Sequence, residues 1–151
     1  TALDSDDIVV NHPLMRSGVI RSARGFNNPQ GEWPLVRLPD ADAVLLGSGA
    51  EVRIAYLSAE TAAKQKRVHG ELSPEEYISV QRVVDEAQDR IKDGNSLIYV
   101  LEQPANDSSG GYVIVVKATR TGKALWVTSF RRLSRDQAER DAELMRLRKK
   151  G

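Results

Sequence analysis

The stretch that most constrains the fold is Tyr112–Arg132, which reads YVIVVKATRTGKALWVTSFRR. Its alternating apolar residues predict the two strands of a hairpin, closed by a short loop at Arg120-Thr121-Gly122. Lys117 interrupts the first strand. Because side chains alternate between the two faces of a strand, Lys117 shares its face with Val113 and Val115. One face of the hairpin therefore belongs to a core, and the other carries a cation.

The register of this hairpin depends on the length of its loop. A three-residue loop places Lys117 on the same face as Ser129 and Arg131, whereas a two-residue loop places it with Trp126 and Thr128. The sequence leaves both registers open. Both hydroxyl residues, Thr128 and Ser129, therefore remain candidates for a site that includes Lys117.

Length and composition limit the class of protein. A chain of 151 residues with 40% hydrophobic and 28% charged residues is large enough for one domain with a substantial core. The absence of cysteine excludes a disulfide scaffold and a thiolate metal site. No apolar run approaches the roughly 20 residues that span a bilayer, and no signal-like segment opens the chain, so we expect a soluble protein without a membrane partner.

The net charge is only +1, but its distribution is uneven. Between Gly110 and Arg135 there is no acidic residue, and the cations there are Lys117, Arg120, Lys123, Arg131, Arg132 and Arg135. A local basic surface of this kind attracts phosphate groups even when the total charge is near zero. The alternative is a solvated sheet edge that lysine and arginine protect from aggregation.

The first third of the chain shows no clear periodicity. Residues 1–42 hold four of the six prolines and predict an extended N-terminal arm, which leaves residues 43–151 as a single domain. Ala43–Leu46 and Val52–Leu57 are separated by a Gly-Ser-Gly sequence. They predict two short strands, or one strand and a turn.

Capping signals predict two helices ahead of the hairpin. Ser58 is a good N-cap for a helix over Ala59–His69, whose last turn is basic. Ser73-Pro74-Glu75-Glu76 has the form of a capping box and starts a second helix that ends near Ala87 or Gln88.

The remaining segments complete the fold prediction. Leu97–Leu101 is apolar throughout, as in a central strand. Lys92-Asp93-Gly94-Asn95 signals a hairpin turn and would make Arg90–Lys92 a short strand, although Ile91 could instead extend the preceding helix. Residues 134–150 predict an amphipathic C-terminal helix with a basic end. We therefore predict an α+β domain in which the N-terminal arm and two helices pack on a small antiparallel β-meander, followed by the C-terminal helix.

His69 is placed at the C-terminal end of the first predicted helix. There the helix dipole favours the imidazolium and raises the pKa toward physiological pH, which suits a general acid or base. The alternative is a histidine that only caps the last carbonyl groups. A helix packed over the sheet would set His69 above the strand face of Lys117.

The residues His69, Lys117, Thr128 or Ser129, and Arg131 suit phosphoryl chemistry on RNA without a metal ion or other cofactor. One group moves a proton at the 2′-hydroxyl or the leaving oxygen, and cations and hydroxyl donors hold the pentacoordinate phosphate. Lys117 and Arg131 would stabilise its charge.

Several motifs resemble one known group of nucleases. They are His69-Gly70 ahead of Ser-Pro-Glu-Glu-Tyr, the sequence Val116-Lys117-Ala118-Thr119, and the sequence Thr128-Ser129-Phe130-Arg131-Arg132-Leu133. In this order they resemble the phage-associated domains of the barnase, EndoU, colicin and RelE superfamily, over about Val52–Lys150. Such domains occur at the C-terminal end of phage head-morphogenesis or polymorphic toxin proteins.

The resemblance implies a site with His69, Lys117 and one of Thr128 or Ser129, with Lys64 nearby. Some relatives carry histidine where this chain has Arg131, so a two-histidine scheme does not transfer, and Arg131 or Lys117 would assist the leaving group. The cations expected to bind substrate are Lys64, Lys66, Arg120, Arg131 and Arg132.

Two functions are then expected from different classes. The first is a metal-independent endoribonuclease, a toxin or phage effector that acts in the cytoplasm of a host or target cell, or is delivered there or carried with a virion. Its partners would be RNA, transfer RNA included, and a cognate immunity or antitoxin protein. The second is a non-catalytic module that binds nucleic acid or protein with the same basic surface.

Overall fold

A six-stranded mixed sheet forms the centre of the computed structural model, which describes residues 33–49 and 51–151. The strands are β1 (Trp33–Arg37), β2 (Ile54–Leu57), β3 (Asp89–Asp93), β4 (Ser96–Glu102), β5 (Gly111–Ala118) and β6 (Leu125–Arg132). Their order across the sheet is β1-β2-β6-β5-β4-β3, in which β2 and β6 are parallel and all other neighbours are antiparallel. The predicted α+β class is confirmed, and β3 to β6 form the antiparallel meander.

Five helices accompany the sheet in the described part of the chain. They are α1 (Asp40–Leu45), α2 (Ala59–Val68), α3 (Pro74–Ile78), α4 (Val80–Glu86) and α5 (Gln137–Arg148). The two predicted caps are present: Ser58 Oγ accepts from Thr61 N, and Ser73 and Glu76 form both hydrogen bonds of a capping box. The second predicted helix is interrupted at Ser79, whose hydroxyl donates to the carbonyl oxygen of Glu76 and competes with the regular helical bonds.

The prediction of a strand at Ala43–Leu46 is wrong, because these residues lie largely within α1. The buried side chain of Asp42 fixes this helix to the sheet, since it accepts hydrogen bonds from Tyr99 Oη at 2.8 Å and Arg90 Nε at 3.2 Å. Residues 33–42 of the predicted arm contribute β1 and the start of α1, and residues 1–32 lie outside the described residues.

Helices cover the two faces of the sheet unequally. Residues of α1, α3 and α4 pack on one face and bury Ile114, Val116 and Phe130 in the larger core cluster. On the other face, Leu144 and Leu147 of α5 pack on Ile98, Val100 and Val113. The second cluster draws on β3, β4, β5 and Leu133, which directly follows β6, and no residue within β6 itself belongs to it.

Helix α2 follows the edge of β6 beyond the end of β2. The parallel pairing stops at Tyr56, and the buried Gln65 then takes the place of a neighbouring strand. Its side-chain amide donates to Phe130 O at 2.6 Å and accepts from Phe130 N at 3.3 Å. Lys64 Nζ donates to Thr128 O at 3.3 Å. The edge of β6 is thereby satisfied by side chains of a helix.

Candidate functional site

A β-bulge in β6 decides which hydroxyl groups share the face of Lys117. Next to the turn, Lys117 pairs with Trp126, but beyond the register shift Val115 pairs with Ser129. The buried residues of β6 follow the same change, since Leu125 and Val127 are followed by Phe130 rather than by residue 129.

Both candidate hydroxyls therefore lie on the face of Lys117. The two-residue register describes the hairpin near its turn, and the three-residue register describes it beyond Thr128, so each alternative holds for part of the strand. The turn itself is longer than either prediction. The hairpin is closed by the backbone bond from Thr119 N to Ala124 O, so the turn comprises residues 120–123. Bulges are common next to active sites, where they redirect side chains.

A strip of half-buried and exposed side chains runs along β6 on the face that α5 covers only in part. Lys117 is exposed, and the others are accessible in the described structure. We call this the open strip; its members are Tyr56, Val115, Lys117, Trp126, Thr128, Ser129 and Arg131. It carries two cations, two aliphatic hydroxyls and two aromatic rings on one surface.

Two adjoining hollows lie between the open strip and α2. The Trp126 recess has a volume of about 350 Å³ and is lined by Ser58, Thr61, Lys117, Ala118, Thr119, Trp126 and Thr128. The Lys64 hollow has a volume of about 510 Å³ and is lined by Glu60, Thr61, Ala63, Lys64, Arg67 and Thr128. They share Thr61 and Thr128, so the structure brings Lys117, Thr128 and Lys64 into one groove.

His69 lies at the C-terminal cap of α2. Its backbone N donates to Gln65 O at 2.7 Å, its side chain is 22% exposed, and its Nδ1 is 3.9 Å from Glu71 Oε1. Burial lowers the pKa of His69, the charges of Arg131 and Lys64 lower it further, and the Glu71 carboxylate opposes them. The predicted rise of this pKa at a helix C-terminus is wrong, because burial and the two cations outweigh the favourable position.

Arg131 and Lys117 occupy opposite ends of the open strip. Arg131 pairs with Val113, which precedes Lys117 by four residues, so the two positions are roughly 13 Å apart along the sheet. The guanidinium of Arg131 forms an ion pair with Glu143 of α5. His69 is electrostatically coupled to the Arg131 end, and it does not line the Trp126 recess or the Lys64 hollow.

The other predicted substrate-binding cations are not all brought together. Lys66 is exposed and lines neither hollow, and Arg120 is exposed in the β5–β6 turn. Arg132 serves the fold: it donates to both carboxylate oxygens of Glu76, at 2.7 and 2.8 Å, and to Glu71 O at 2.9 Å.

A wider depression of about 990 Å³ adjoins the Arg131 end of the strip. It is lined by residues 105–108 and 132–136 together with Glu71 and Glu143. Glu71 lies beside His69 and Glu143 forms the ion pair with Arg131, so this depression adjoins the charged end of the strip.

Sequence reasoning missed four residues of this arrangement. Glu71 follows His69 by two residues and was not assigned to it, because a separation of two is not a regular helical contact. Arg67 lies three residues after Lys64, a spacing that places both on one side of a helix. Thr61 gave no signal, and Trp126 shared the face of Lys117 in the two-residue register without being assigned to a site, because the recess depends on how α2 lies along β6.

The described residues contain neither a helix long and apolar enough to cross a membrane nor a group of three or more His, Cys, Asp or Glu placed to hold a metal ion. No family model matches the chain, and no curated protein or solved structure matches it either. The resemblance to the barnase, EndoU, colicin and RelE superfamily therefore stays a prediction that rests on the motifs.

Proposed function

We propose that the protein is a metal-independent endoribonuclease that cleaves RNA through attack of a 2′-hydroxyl, with a cyclic phosphate product. One observation carries the proposal: partly buried His69 has Glu71 Oε1 3.9 Å from its Nδ1 and lies within electrostatic reach of Lys64 and Arg131, and Arg131 shares the open strip with the half-buried Thr128 and Ser129. This group of residues combines a proton acceptor with cations and hydroxyl donors.

His69 is suited to be the general base. Because its pKa is lowered, the imidazole is neutral at physiological pH and can accept a proton. The negative charge of Glu71, 3.9 Å from Nδ1, favours the tautomer that carries its proton on Nδ1, which leaves Nε2 as the accepting atom.

The reaction then has two bond changes at phosphorus and three proton transfers. The 2′-hydroxyl gives its proton to His69 Nε2, its oxygen forms a bond to phosphorus, and the bond from phosphorus to the 5′-oxygen breaks. The departing oxygen takes a proton from water, and His69 later returns its own proton to solvent. The products carry a 2′,3′-cyclic phosphate and a 5′-hydroxyl.

Cations at the two ends of the strip would have different roles. Arg131 and Lys64, whose charges act on His69, stabilise the pentacoordinate phosphate. Lys117, roughly 13 Å away along the sheet, holds another phosphate of the same strand. RNA is then the partner, in the cytoplasm of a host or target cell, and a cognate immunity protein would act by covering the open strip.

The proposal is tested by incubating total RNA with the protein in excess EDTA. Fragments are expected from the wild type, with cleavage slower by about 10²- to 10⁴-fold in His69→Ala, the range for a lost general base. Lys117→Ala should weaken substrate binding and cleavage. Lys66→Ala is the matched control, because Lys66 is a lysine of α2, the helix that His69 caps, but lies outside both hollows. Intact RNA at high protein concentration contradicts the proposal.

A second function is favoured by the position of His69 outside the two hollows. The groove formed by Lys117, Trp126, Lys64 and Arg67 contains charge and an aromatic ring, which suffice to bind a nucleic acid strand without cutting it. A non-catalytic binding module, in a phage virion or toxin protein, would show salt-dependent RNA binding that Lys64→Ala weakens and His69→Ala leaves unchanged, with no cleavage.

A further inference from the structure

We infer that the Trp126 recess binds an unpaired nucleobase of the strand whose phosphates lie along the open strip. The inference deepens the proposed function and rests on it for the identity of the ligand as RNA. It defines the substrate class as single-stranded nucleic acid, because a paired base does not present its face to a protein ring.

The recess offers an aromatic surface of suitable size. Trp126 is half-buried, and the ring of Tyr56 on the adjacent strand lies 6.4 Å away between centroids, tilted by 58°. Trp126 therefore has an aromatic neighbour on the adjacent strand and also lines the recess. A volume of about 350 Å³ falls at the small end of the roughly 300–1,000 Å³ typical of ligand sites.

Hydroxyl groups around the recess differ in what they can still bind. Thr128 Oγ1 donates to Val115 O at 3.4 Å, and Thr119 Oγ1 is bonded to the backbone of Ala124. Ser58 Oγ donates to Thr61 Oγ1 at 3.1 Å. Among the described residues the Thr61 hydroxyl donates to no acceptor, so its proton is available to a carbonyl oxygen or ring nitrogen of a base.

Charge around the recess is complementary to the backbone of such a strand. Lys117 lines the recess itself, and Lys64 and Arg67 line the Lys64 hollow, which joins it at Thr61 and Thr128. A base stacked on Trp126 would therefore have cations on two sides for its flanking phosphates. Proteins that bind single-stranded nucleic acid combine an aromatic ring for the base with cations for the phosphates in this way.

The test uses 2′-O-methyl RNA hexamers of uridine or adenosine, which bind but lack the attacking hydroxyl. Trp33→Phe leaves Trp126 as the only tryptophan of the chain, so its fluorescence reports on the recess. We expect saturable quenching by the hexamers and none by inorganic phosphate at the same ionic strength. Equal quenching by phosphate alone would overturn the inference.

Affinity of a labelled hexamer, measured by fluorescence anisotropy, provides the second arm. Trp126→Leu should weaken binding by roughly 5- to 150-fold, the effect of losing one base stack, without changing the slope of log affinity against log salt. Lys117→Ala should instead reduce that slope by about one. Trp126→Phe is the matched control and should retain most of the affinity.

The failure of base binding is distinguishable from the failure of cleavage. Binding by Trp126→Leu within twofold of the wild type, or equal affinity for a duplex, would overturn the base subsite whether or not RNA is cut. Quenching by the hexamers in a protein that leaves RNA intact would uphold the subsite and reject the ribonuclease. DNA hexamers of the same sequence show whether the sugar contributes to recognition.

Discussion

At the scale of single residues, the clearest contrast is between the neighbours Arg131 and Arg132. Adjacent strand residues point to opposite faces, so one arginine had to leave the site. Arg132 binds Glu76, whereas Arg131 pairs with Glu143 and lies close enough to His69 to affect its pKa. The sequence did not reveal which arginine belonged to the site, because the register beyond Thr128 depends on a bulge with no sequence signature of its own.

The balance of charges around His69 predicts how its pKa responds to substitution. Glu71→Gln removes the carboxylate that raises this pKa, so the value should fall further, whereas Lys64→Ala should raise it. Ring proton NMR against pH measures both shifts, with His12 as the internal reference. If the rate of cleavage depends on neutral His69, it should rise with pH through the same pKa. An unchanged pKa in both variants would contradict the proposed charge balance.

The ionised carboxylate of Glu76 is expected to stabilise the fold in a way that depends on pH. Burial alone would raise the pKa of Glu76, but hydrogen bonds from Arg132, Ser73 N and Tyr112 lower it to about 2. The contribution is therefore fully present above the ordinary value near 4.5 and is lost as the pH falls toward 2.

Glu76→Gln should lower the free energy of unfolding at neutral pH by about 2–4 kcal/mol, an order-of-magnitude conversion of this shift. Urea denaturation at neutral and acid pH measures it, and the difference from wild type should shrink as the pH drops. Glu75→Gln, at an exposed position of the same helix, is the matched control. A difference that does not depend on pH would reject the assigned role.

At the scale of elements, the sequence predicts helix starts and tight turns well, because these depend on local hydrogen bonds and backbone conformation. The caps at Ser58 and Ser73 were predicted and are present, as is the turn that separates β3 from β4. A strand is predicted at Ala43–Leu46 because these four residues are apolar, yet they lie largely in α1, where Val44 is 68% and Leu45 48% exposed. Their hydrophobicity was not a sign of burial there.

Substitution of two glycines, one in the β3–β4 turn and one in the β5–β6 turn, should destabilise the protein to different extents. Gly122 and Gly94 both have left-handed backbones, with φ of +70° and +60°. A Cβ on Gly122 would collide with the carbonyl oxygen of Gly47, whereas one on Gly94 meets open space. Gly49 N also donates to Gly122 O at 2.8 Å, so this turn is docked on the loop between α1 and β2.

Gly94→Ala should destabilise the protein by about 1–2 kcal/mol, the cost of a left-handed non-glycine residue. Gly122→Ala should cost more, because the turn must also move away from Gly47. Thermal unfolding of the two variants compares them directly. Equal losses would mean that the docked turn adds no constraint on the hairpin.

At the scale of the whole molecule, the antiparallel meander and the terminal helix were predictable from local patterns, and the position of the site was only partly so. The parallel pairing of β2 with β6 and the placement of α2 along β6 join residues more than 60 positions apart, which periodicity does not report. The prediction that the first helix packs over the sheet and sets His69 above Lys117 is wrong in its first part, because α2 lies along the edge of β6. The charge that acts on His69 from the open strip is that of Arg131, roughly 13 Å along the sheet from Lys117.

The proposed role of His69 as general base determines the chemical form of the 3′ ends of the RNA fragments. A defined single-stranded RNA is incubated with the protein in excess EDTA, and the ends are identified by mass spectrometry. We predict 2′,3′-cyclic phosphate ends from the wild type and from Lys66→Ala, and their loss in folded His69→Ala. Fragments that end in a 3′-hydroxyl, or cyclic phosphate formed as fast by His69→Ala as by the wild type, would contradict this role.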